Sequence, residues 1–461
     1  MTGRPALRLA RPSALALVLL ACVVLAGGGL RAYKSANPSG YTSADESAYS
    51  LLATTIATGG DYRERRRKGM NAFRWPPGAP FAFAAAHKVT GDLGPGAVYW
   101  LQFAAGTLTI CGAFLLAWWL AGPWAGLAAA ALVAFYLPLA RISGDLLSEP
   151  LGGLLMVAAM GALAWAYASR RIVAFGLAGA LLGGLVLTRA DHLLLPGLLA
   201  ILAVGVGWRV AGARSGLAWG AALLAGTVVV MAPWAVYASR TLGNPVPVTT
   251  GSSTPLFVGT YLPGGGTTAG LKRDLAPQIK ANHPTLAAVS DHKLPARFAL
   301  DVIAARHPEA SRTRAISIEG RKNLVRYGLK DPIDFTAMMF SKASRMWLSP
   351  YNGGGHHATE AFKAHHNLWL IPAVLGLIAG LVRTRDPVLA SILLAALLST
   401  ALHAVVVSQA RYNLPLMPIV LAGGAAGWAM ALRGVGARVA GRGLSRPKEQ
   451  PAGHSRRAAP A

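Results

Sequence analysis

The fold class this sequence predicts is an all-α protein that crosses a membrane about ten times and carries two long loops on one side. Three observations predict it. The chain of 461 residues is 54% hydrophobic but only 13% charged, whereas a soluble domain carries about 25% charged residues. Apolar runs of the ~20 residues that a spanning helix needs recur along the chain. Arginines cluster in alternate short connections between those runs, as the positive-inside rule requires.

The first run, Ser13 to Leu30, follows Arg4, Arg8 and Arg11. It is too long for the apolar core of a signal peptide, and no clean small-residue cleavage site follows it. It is therefore read as a retained helix, near 13–31. Further spans are expected near 97–120, 123–141, 147–168, 172–188, 192–208, 216–238, 367–383, 387–407 and 412–432. Residues 1–432 thus form one transmembrane domain, and 433–461 form a basic tail expected to be disordered.

Orientation follows from the short-loop arginines. The N-terminal tail, Arg170–Arg171, Arg209 with Arg214, Arg383 with Arg385, and the tail after Gly434 fall on one side if both termini are cytoplasmic. Two long loops, 32–96 and 239–366, then lie outside a plasma membrane. Of the 18 acidic residues, only Asp386 and Glu449 fall on the cytoplasmic side, and none falls at mid-span. A transporter keeps ionisable groups near the midplane. A transporter or flippase of lipid-linked sugars is therefore the alternative, with His403 as its main polar candidate.

The net charge of +26 points to anionic partners, membrane lipid headgroups foremost, and nucleic acid is not expected. The run RERRRK, Arg63 to Lys68, is assigned to headgroups. Cys22 and Cys111 lie inside apolar segments and build neither a disulfide framework nor a metal site. His357, Glu360, His365 and His366, in GGGHHATEAFKAHH, could share a helix face, but their spacing is not that of a clean metal site, and no cofactor is expected. In the second long loop, Asp331-Pro332-Ile333-Asp334 is a helix start. The helix that follows places Phe335, Met338, Met339, Met346 and Trp347 largely on one face, flanked by Lys342 and Arg345. It suits either a bilayer surface or the core of the loop region.

Chemistry-bearing residues gather in four stretches on the same side. They are Asp45-Glu46 with Tyr49, the turn RWPPGAP from Arg74, RISGDLLSEP from Arg141 to Pro150, and RYNLP from Arg411. The segment APWAVYASRTLGNPVPVTTG lies between them. An acidic pair with a trailing tyrosine, a basic residue before Pro-Pro, Ser-Glu-Pro, an APW exit followed by GNPV, and RY-x-L-P occur here in order, over residues of about 15 to 430. This order resembles the polytopic C-type (GT-C fold) membrane glycosyltransferases. The branch is that of protein mannosyltransferases and of aminoarabinose and galacturonic-acid transferases, the family-39-like enzymes. The carbohydrate-binding insert of eukaryotic protein mannosyltransferases is not recognisable, which puts a protein acceptor in doubt.

The resemblance implies a polyprenyl-phosphate sugar donor and an envelope acceptor whose hydroxyl attacks the anomeric carbon. It implies Asp45 as general base, with Glu46 orienting Asp45, the acceptor or a loop helix. Arg74 aligns with the basic residue before Pro-Pro and is the first phosphate ligand expected, with Arg411 and Tyr412 next. Tyr49 and Glu149 are candidates for sugar or acceptor contacts. Each has a plainer alternative. Ser43 or Asp45 could cap the helix ESAYSLLATTIA, and Ser148 or Asp145 could cap the helix after it. Glu149 could brace the first loop, Arg74 could be a solvated interfacial arginine, and Arg411 and Tyr412 could be interfacial anchors. Arg189 and Asp191 are expected to pair locally.

Overall fold

The computed structural model describes residues 12–38, 40, 43–62, 72–353 and 358–443. The run RERRRK, His357 and the tail beyond 443 lie outside them. Helices fill nearly all of the described chain, and no strand occurs among the described residues. In order they are α1 (Ala14–Ala36), α2 (Ala44–Ala57), α3 (Gly78–Thr90), α4 (Pro95–Ala121), α5 (Pro123–Phe135), α6 (Leu137–Arg141) and α7 (Glu149–Ser169). Next come α8 (Ile172–Thr188), α9 (Leu195–Ala211), α10 (Ala213–Leu242) and six shorter or more polar helices. These are α11 (Ser253–Thr260), α12 (Thr268–Asp274), α13 (Ala276–Asn282), α14 (Ala296–Ala304), α15 (Arg312–Lys330) and α16 (Pro332–Leu348). The chain ends with α17 (Glu360–Thr384), α18 (Pro387–Val405) and α19 (Met417–Gly443).

Seven of these segments are long and apolar enough to cross a membrane: α1, α4, α7, α9 with the turn before it, α10, α17 and α18. Two more of the expected spans, α8 and the first part of α19, are shorter apolar helices. The span expected over 123–141 is broken, and its two parts meet at 58°.

The break has a local cause. Pro138 has no N–H to return to the Ala134 carbonyl four residues back, and its ring crowds the preceding turn. Tyr136 accordingly takes an extended backbone, with ψ of 101°. The freed carbonyls are met from elsewhere. Arg31, in α1 and only 1% exposed, donates to Ala134 O at 3.1 Å and Val133 O at 2.9 Å. The Leu137 N–H goes to His365 Nε2 at 3.3 Å, and Trp369 Nε1 donates to Leu132 O at 3.2 Å. A break that would be costly in an apolar medium is thereby supplied with partners. The same bonds stitch α1 into the bundle.

Long helices pack through small residues. A Cβ at Gly226 of α10 would run into the Gly176 carbonyl of α8, and one at Gly427 of α19 into the Gly376 carbonyl of α17. In a lipid solvent that treats apolar side chains as its own, such close backbone approach supplies much of the contact energy.

Helices α11 to α15 enclose an apolar core of their own, with Phe257, Leu271, Ile279, Leu300, Ile303 and Ile316 buried together. Helix α16 begins where the sequence places it, with Pro332 at its first position, but the Asp331 side chain makes no cap bond. One of its faces is buried: Phe335, Met338 and Met346 pack inward. Lys342, expected on the flank, is 0% exposed. Its ammonium donates to Gly259 O at 2.6 Å and Val405 O at 3.1 Å. These carbonyls lie at the C-terminal ends of α11 and α18, where a cation is favoured. Burial, with Arg345 adding to it, lowers the Lys342 amine to about 8. The opposite face leaves Ile333 and Phe340 exposed, the latter at 73%.

Candidate active site

The site forms where several helix ends meet. At the start of α2, Ser43 and Glu46 close a capping box. Glu46 Oε1 accepts from the Ser43 N–H at 2.9 Å, while the Ser43 hydroxyl accepts from the Glu46 N–H at 3.3 Å. Glu46 is 0% exposed, and its other oxygen accepts from the Leu146 N–H at 3.4 Å. It thus ties α2 to the turn before α7. The neighbouring side chain, Asp45, takes no part in the box and is 38% exposed.

Asp45 has two partners. Trp75 Nε1 donates to Oδ1 at 3.1 Å, and Arg411 forms an ion pair with Oδ2. Burial alone would raise the Asp45 carboxyl; Arg411, the Trp75 bond and Arg74 outweigh it and hold it below the ordinary value. Arg411 is nearly enclosed. Besides Asp45 it has Glu149 Oε1 at 3.6 Å from Nε, and Gln409 Oε1 accepts from Nε at 3.0 Å. Burial opposes its charge, but Glu149 and Asp45 prevail and keep it firmly protonated.

Glu149 opens α7, directly before Pro150. Ser148 takes the capping position but makes no side-chain cap bond. Its hydroxyl instead accepts from Arg189 at 3.3 Å. Arg189 also bridges Glu149 Oε1 and Asp191 Oδ2, each at 3.0 Å. The expected local pair is therefore one arm of a wider network that ends at His403, 3.5 Å from Asp191. Glu149 Oε2 is buried and has no hydrogen-bond partner in the structure. Tyr49, one turn after Asp45, lies edge-on to Phe83. Tyr412 packs against His403 with the rings tilted by 42° and their centroids 4.7 Å apart.

Arg74 ends a short 3-10 turn and stays exposed, its guanidinium 5.6 Å from the Trp75 ring. The turn is braced by the segment after α10. Thr250 N–H and the Thr249 hydroxyl both donate to Phe73 O at 2.8 Å, and Trp234 Nε1 holds Val248 O at 2.7 Å. The APW exit thereby fixes the Arg74 turn, a task its sequence alone did not reveal. Burial lowers the Arg74 guanidinium, Asp45 offsets part of this, and Arg312 lowers it further.

Two cavities open on this cluster. The first, about 330 Å³, is lined by Asp45, Tyr49, Arg74, Glu149, Arg189, Arg411 and Tyr412, with Leu402, Val406 and Val407 forming an apolar wall. The second, about 820 Å³, lies towards α12, α14 and α15. Asp45, Arg74, Leu147 and Arg411 line both. Of the seven residues put forward for catalysis and for donor or acceptor binding, Asp45, Tyr49, Arg74, Glu149, Arg411 and Tyr412 line the first cavity and Glu46 does not.

Three features escaped the sequence. Tyr351, in the loop after α16, donates to Asp145 Oδ2 at 2.8 Å and lines the second cavity. Asp145 is buried, which pushes its carboxyl up to about 7, with Glu46 and Glu149 adding to the rise and the Tyr351 bond opposing it. Gln409 holds Arg411 from two residues away. The paired histidines of α17 serve the helix break: His366 Nδ1 lies 2.6 Å from the Tyr136 hydroxyl, and its Nε2 faces Trp347 O. Among the described residues, no group of three or more His, Cys, Asp or Glu is placed to hold a metal ion.

No family model and no curated protein sequence matches the chain. Its structure, however, superposes on solved membrane proteins. The oligosaccharyltransferase AglB from Archaeoglobus fulgidus, in complex with an inhibitory peptide and a dolichol-phosphate, matches with a TM-score of 0.53 and 14% identity, over 95% of this chain and 52% of that one. The apo form of the Archaeoglobus fulgidus oligosaccharyltransferase matches with a TM-score of 0.53 and 16% identity, over 94% of this chain and 52% of its own. The chain thus spans about half the length of the oligosaccharyltransferase it matches. Apolar helices, their order and this superposition together make the chain a multi-pass membrane protein of the GT-C fold.

Proposed function

We propose that the chain is a membrane glycosyltransferase that moves a sugar from a polyprenyl-phosphate-linked donor to an envelope acceptor. The observation that carries this is the position of Asp45, Arg74 and Arg411 on the walls of both cavities. One reactant in each cavity would meet at a carboxylate and two guanidiniums. The presence of a dolichol-phosphate in the archaeal oligosaccharyltransferase complex supports a lipid phosphate in the donor role.

The donor occupies the first cavity, its sugar near Glu149 and Tyr49 and its phosphate towards Arg74 and Arg411. Glu149 Oε2 is the open acceptor for a sugar hydroxyl. The acceptor presents its hydroxyl from the second cavity. Its oxygen bonds to the anomeric carbon, the bond from that carbon to the phosphate oxygen breaks, and the electron pair leaves with the lipid phosphate. The proton passes to Asp45, and the departing phosphate is held by cations.

Paired with Arg411, Asp45 is a weak base. A bound phosphate competes for the same guanidinium, which frees the carboxylate and raises its proton affinity. Base strength would thus rise only when the donor is present. Glu46 acts at one remove, by fixing the α2 turn on which Asp45 stands. Both termini face the cytoplasm in this proposal, where the basic tail meets anionic lipids, and the site and the basic loop face outward. The test is a glycan and glycolipid mass spectrum of the envelope from a strain lacking the gene. The expected result is one missing sugar; an unchanged spectrum counts against the proposal.

A further inference from the structure

We infer that the acceptor carries a negative charge, a phosphate or a carboxylate, held by Arg297 and Arg312 in the second cavity beside Asp45. The inference rests on the assignment of that cavity to the acceptor.

Four guanidiniums line this cavity, those of Arg74, Arg297, Arg312 and Arg411, against one carboxylate, that of Asp45. Arg411 is neutralised by Asp45 and Glu149. Arg312 has Asp301 at 2.6 Å from its Nε, and its terminal nitrogen donates to Arg297 O at 2.9 Å. That bond ties the Arg312 guanidinium to the backbone at the start of α14. The Arg297 guanidinium lies 4.7 Å from the Phe298 ring centroid, and neither it nor Arg74 makes an ion pair among the described residues. Arg312 is close enough to Arg74 to disfavour the charge of Arg74.

Like charges of this kind on a solvated surface would spread apart. Here the backbone holds them around one void: the braced turn of residues 72–74 on one side, the starts of α14 and α15 on the other. The surrounding segment agrees in sign. Residues 239–366 contain 16 Lys and Arg but 8 Asp and Glu. A neutral glycan would meet a wall rich in fixed cations and would leave the repulsion standing. An anionic group removes it, and Arg presents the planar fork that phosphate and carboxylate accept.

The experiment uses the purified full-length protein in nanodiscs. Undecaprenyl phosphate is bound first, and its affinity is measured, so that the arginines of the first cavity are occupied. Glucose 6-phosphate, glucuronate and glucose are then titrated by saturation-transfer NMR. One charge-assisted contact is worth about tenfold or more in affinity. At least one anion should therefore bind about tenfold tighter than glucose, and the preference should vanish in Arg297→Gln/Arg312→Gln. A preference for glucose 6-phosphate alone means a phosphorylated acceptor, and one for glucuronate alone an acidic sugar. Equal binding of all three probes, or a preference that survives the double substitution, overturns the inference while leaving the proposed function intact. Failure of undecaprenyl phosphate to bind overturns the proposed function itself.

Discussion

Arg411 reaches the carboxylate of Asp45 across 366 residues of sequence. The pair joins the start of the second helix to the start of the last, and it sits where two cavities meet. In the proposed reaction the pair would hold a base and its own inhibitor in contact until a competing anion arrives.

Asp45→Asn keeps the shape of the side chain and its bond from Trp75, but it cannot take a proton as a carboxylate does. Sugar transfer from a synthetic undecaprenyl-phosphate sugar should fall by about 10²–10⁴-fold. Thermal stability should stay near wild type, because the carboxyl is partly exposed and such pairs contribute little. Full activity in the purified variant would return Asp45 to a capping or bracing role.

Arg74 and Arg411 should differ in what their loss does to the fold. Arg74→Ala removes an exposed cation with no carboxylate partner among the described residues. Donor affinity should drop by at least about tenfold, the worth of roughly 1.5–3 kcal/mol, with Tm unchanged. Arg411→Ala strands the buried Glu149 beside Arg189 alone, and breaking a buried pair costs about 3–5 kcal/mol. Donor binding and Tm should fall together. Melting curves beside undecaprenyl phosphate binding would separate the two; equal stability of both variants contradicts the buried network.

Glu46→Gln preserves one acceptor oxygen for the capping box and loses the charge. Turnover should decline less than in Asp45→Asn, and part of the loss should appear as a lower Tm. If Glu46→Gln is as inactive as Asp45→Asn at full stability, Glu46 touches the reacting atoms directly.

The Asp145 carboxyl, raised by burial to about 7, makes a signed pH prediction. Its folded value lies above its unfolded value of 3.8, so the native state favours the protonated form. That contribution is complete below the unfolded value and is lost as pH rises to about 7 and beyond. Tm should therefore decline more steeply between pH 5 and 8 in the wild type than in Asp145→Asn. Parallel slopes for the two proteins would remove Asp145 as the cause.

With Cys22 and Cys111 replaced, Ala72→Cys and Ala358→Cys should both react with an impermeant maleimide added to intact cells, because the short-loop arginines predict both segments outside. Protection of both until lysis would invert the topology.

Four residues that line the first cavity could be found in sequence because each sits near a helix end marked by proline or a cap. Asp45 stands two residues after Ser43, Arg74 precedes Pro76-Pro77, Glu149 precedes Pro150, and Arg411 opens the RY-x-L-P turn. Local punctuation survives in a linear reading. Tyr351 on Asp145 did not survive it, since 206 residues separate the two and only packing brings them together. Lys342 misled for a different reason. A lysine at the margin of an apolar helix face reads as solvated, and the carbonyls that receive it belong to two other helices. Pro138 lay in plain view within an expected span, yet proline is tolerated in membrane helices, so the break depended on finding donors in α1 and α17.

Arg31 carries a consequence for how the protein is made. Two of its three carbonyl partners lie 102 and 103 residues further along the chain, and only the third, Gly27 O at 3.0 Å, belongs to α1 itself. A ribosome adds about 5–20 residues per second, so the first helix enters the membrane roughly 5–20 s before two of the three acceptors of its guanidinium exist. During that interval the side chain must reach for the headgroup layer, and α1 must sit displaced from its final depth. Only the arrival of α5 lets it sink. Nascent chains arrested before residue 123 should therefore show α1 closer to the interface than chains arrested after residue 142, a difference that glycosylation-distance mapping can measure, and that Arg31→Leu should abolish.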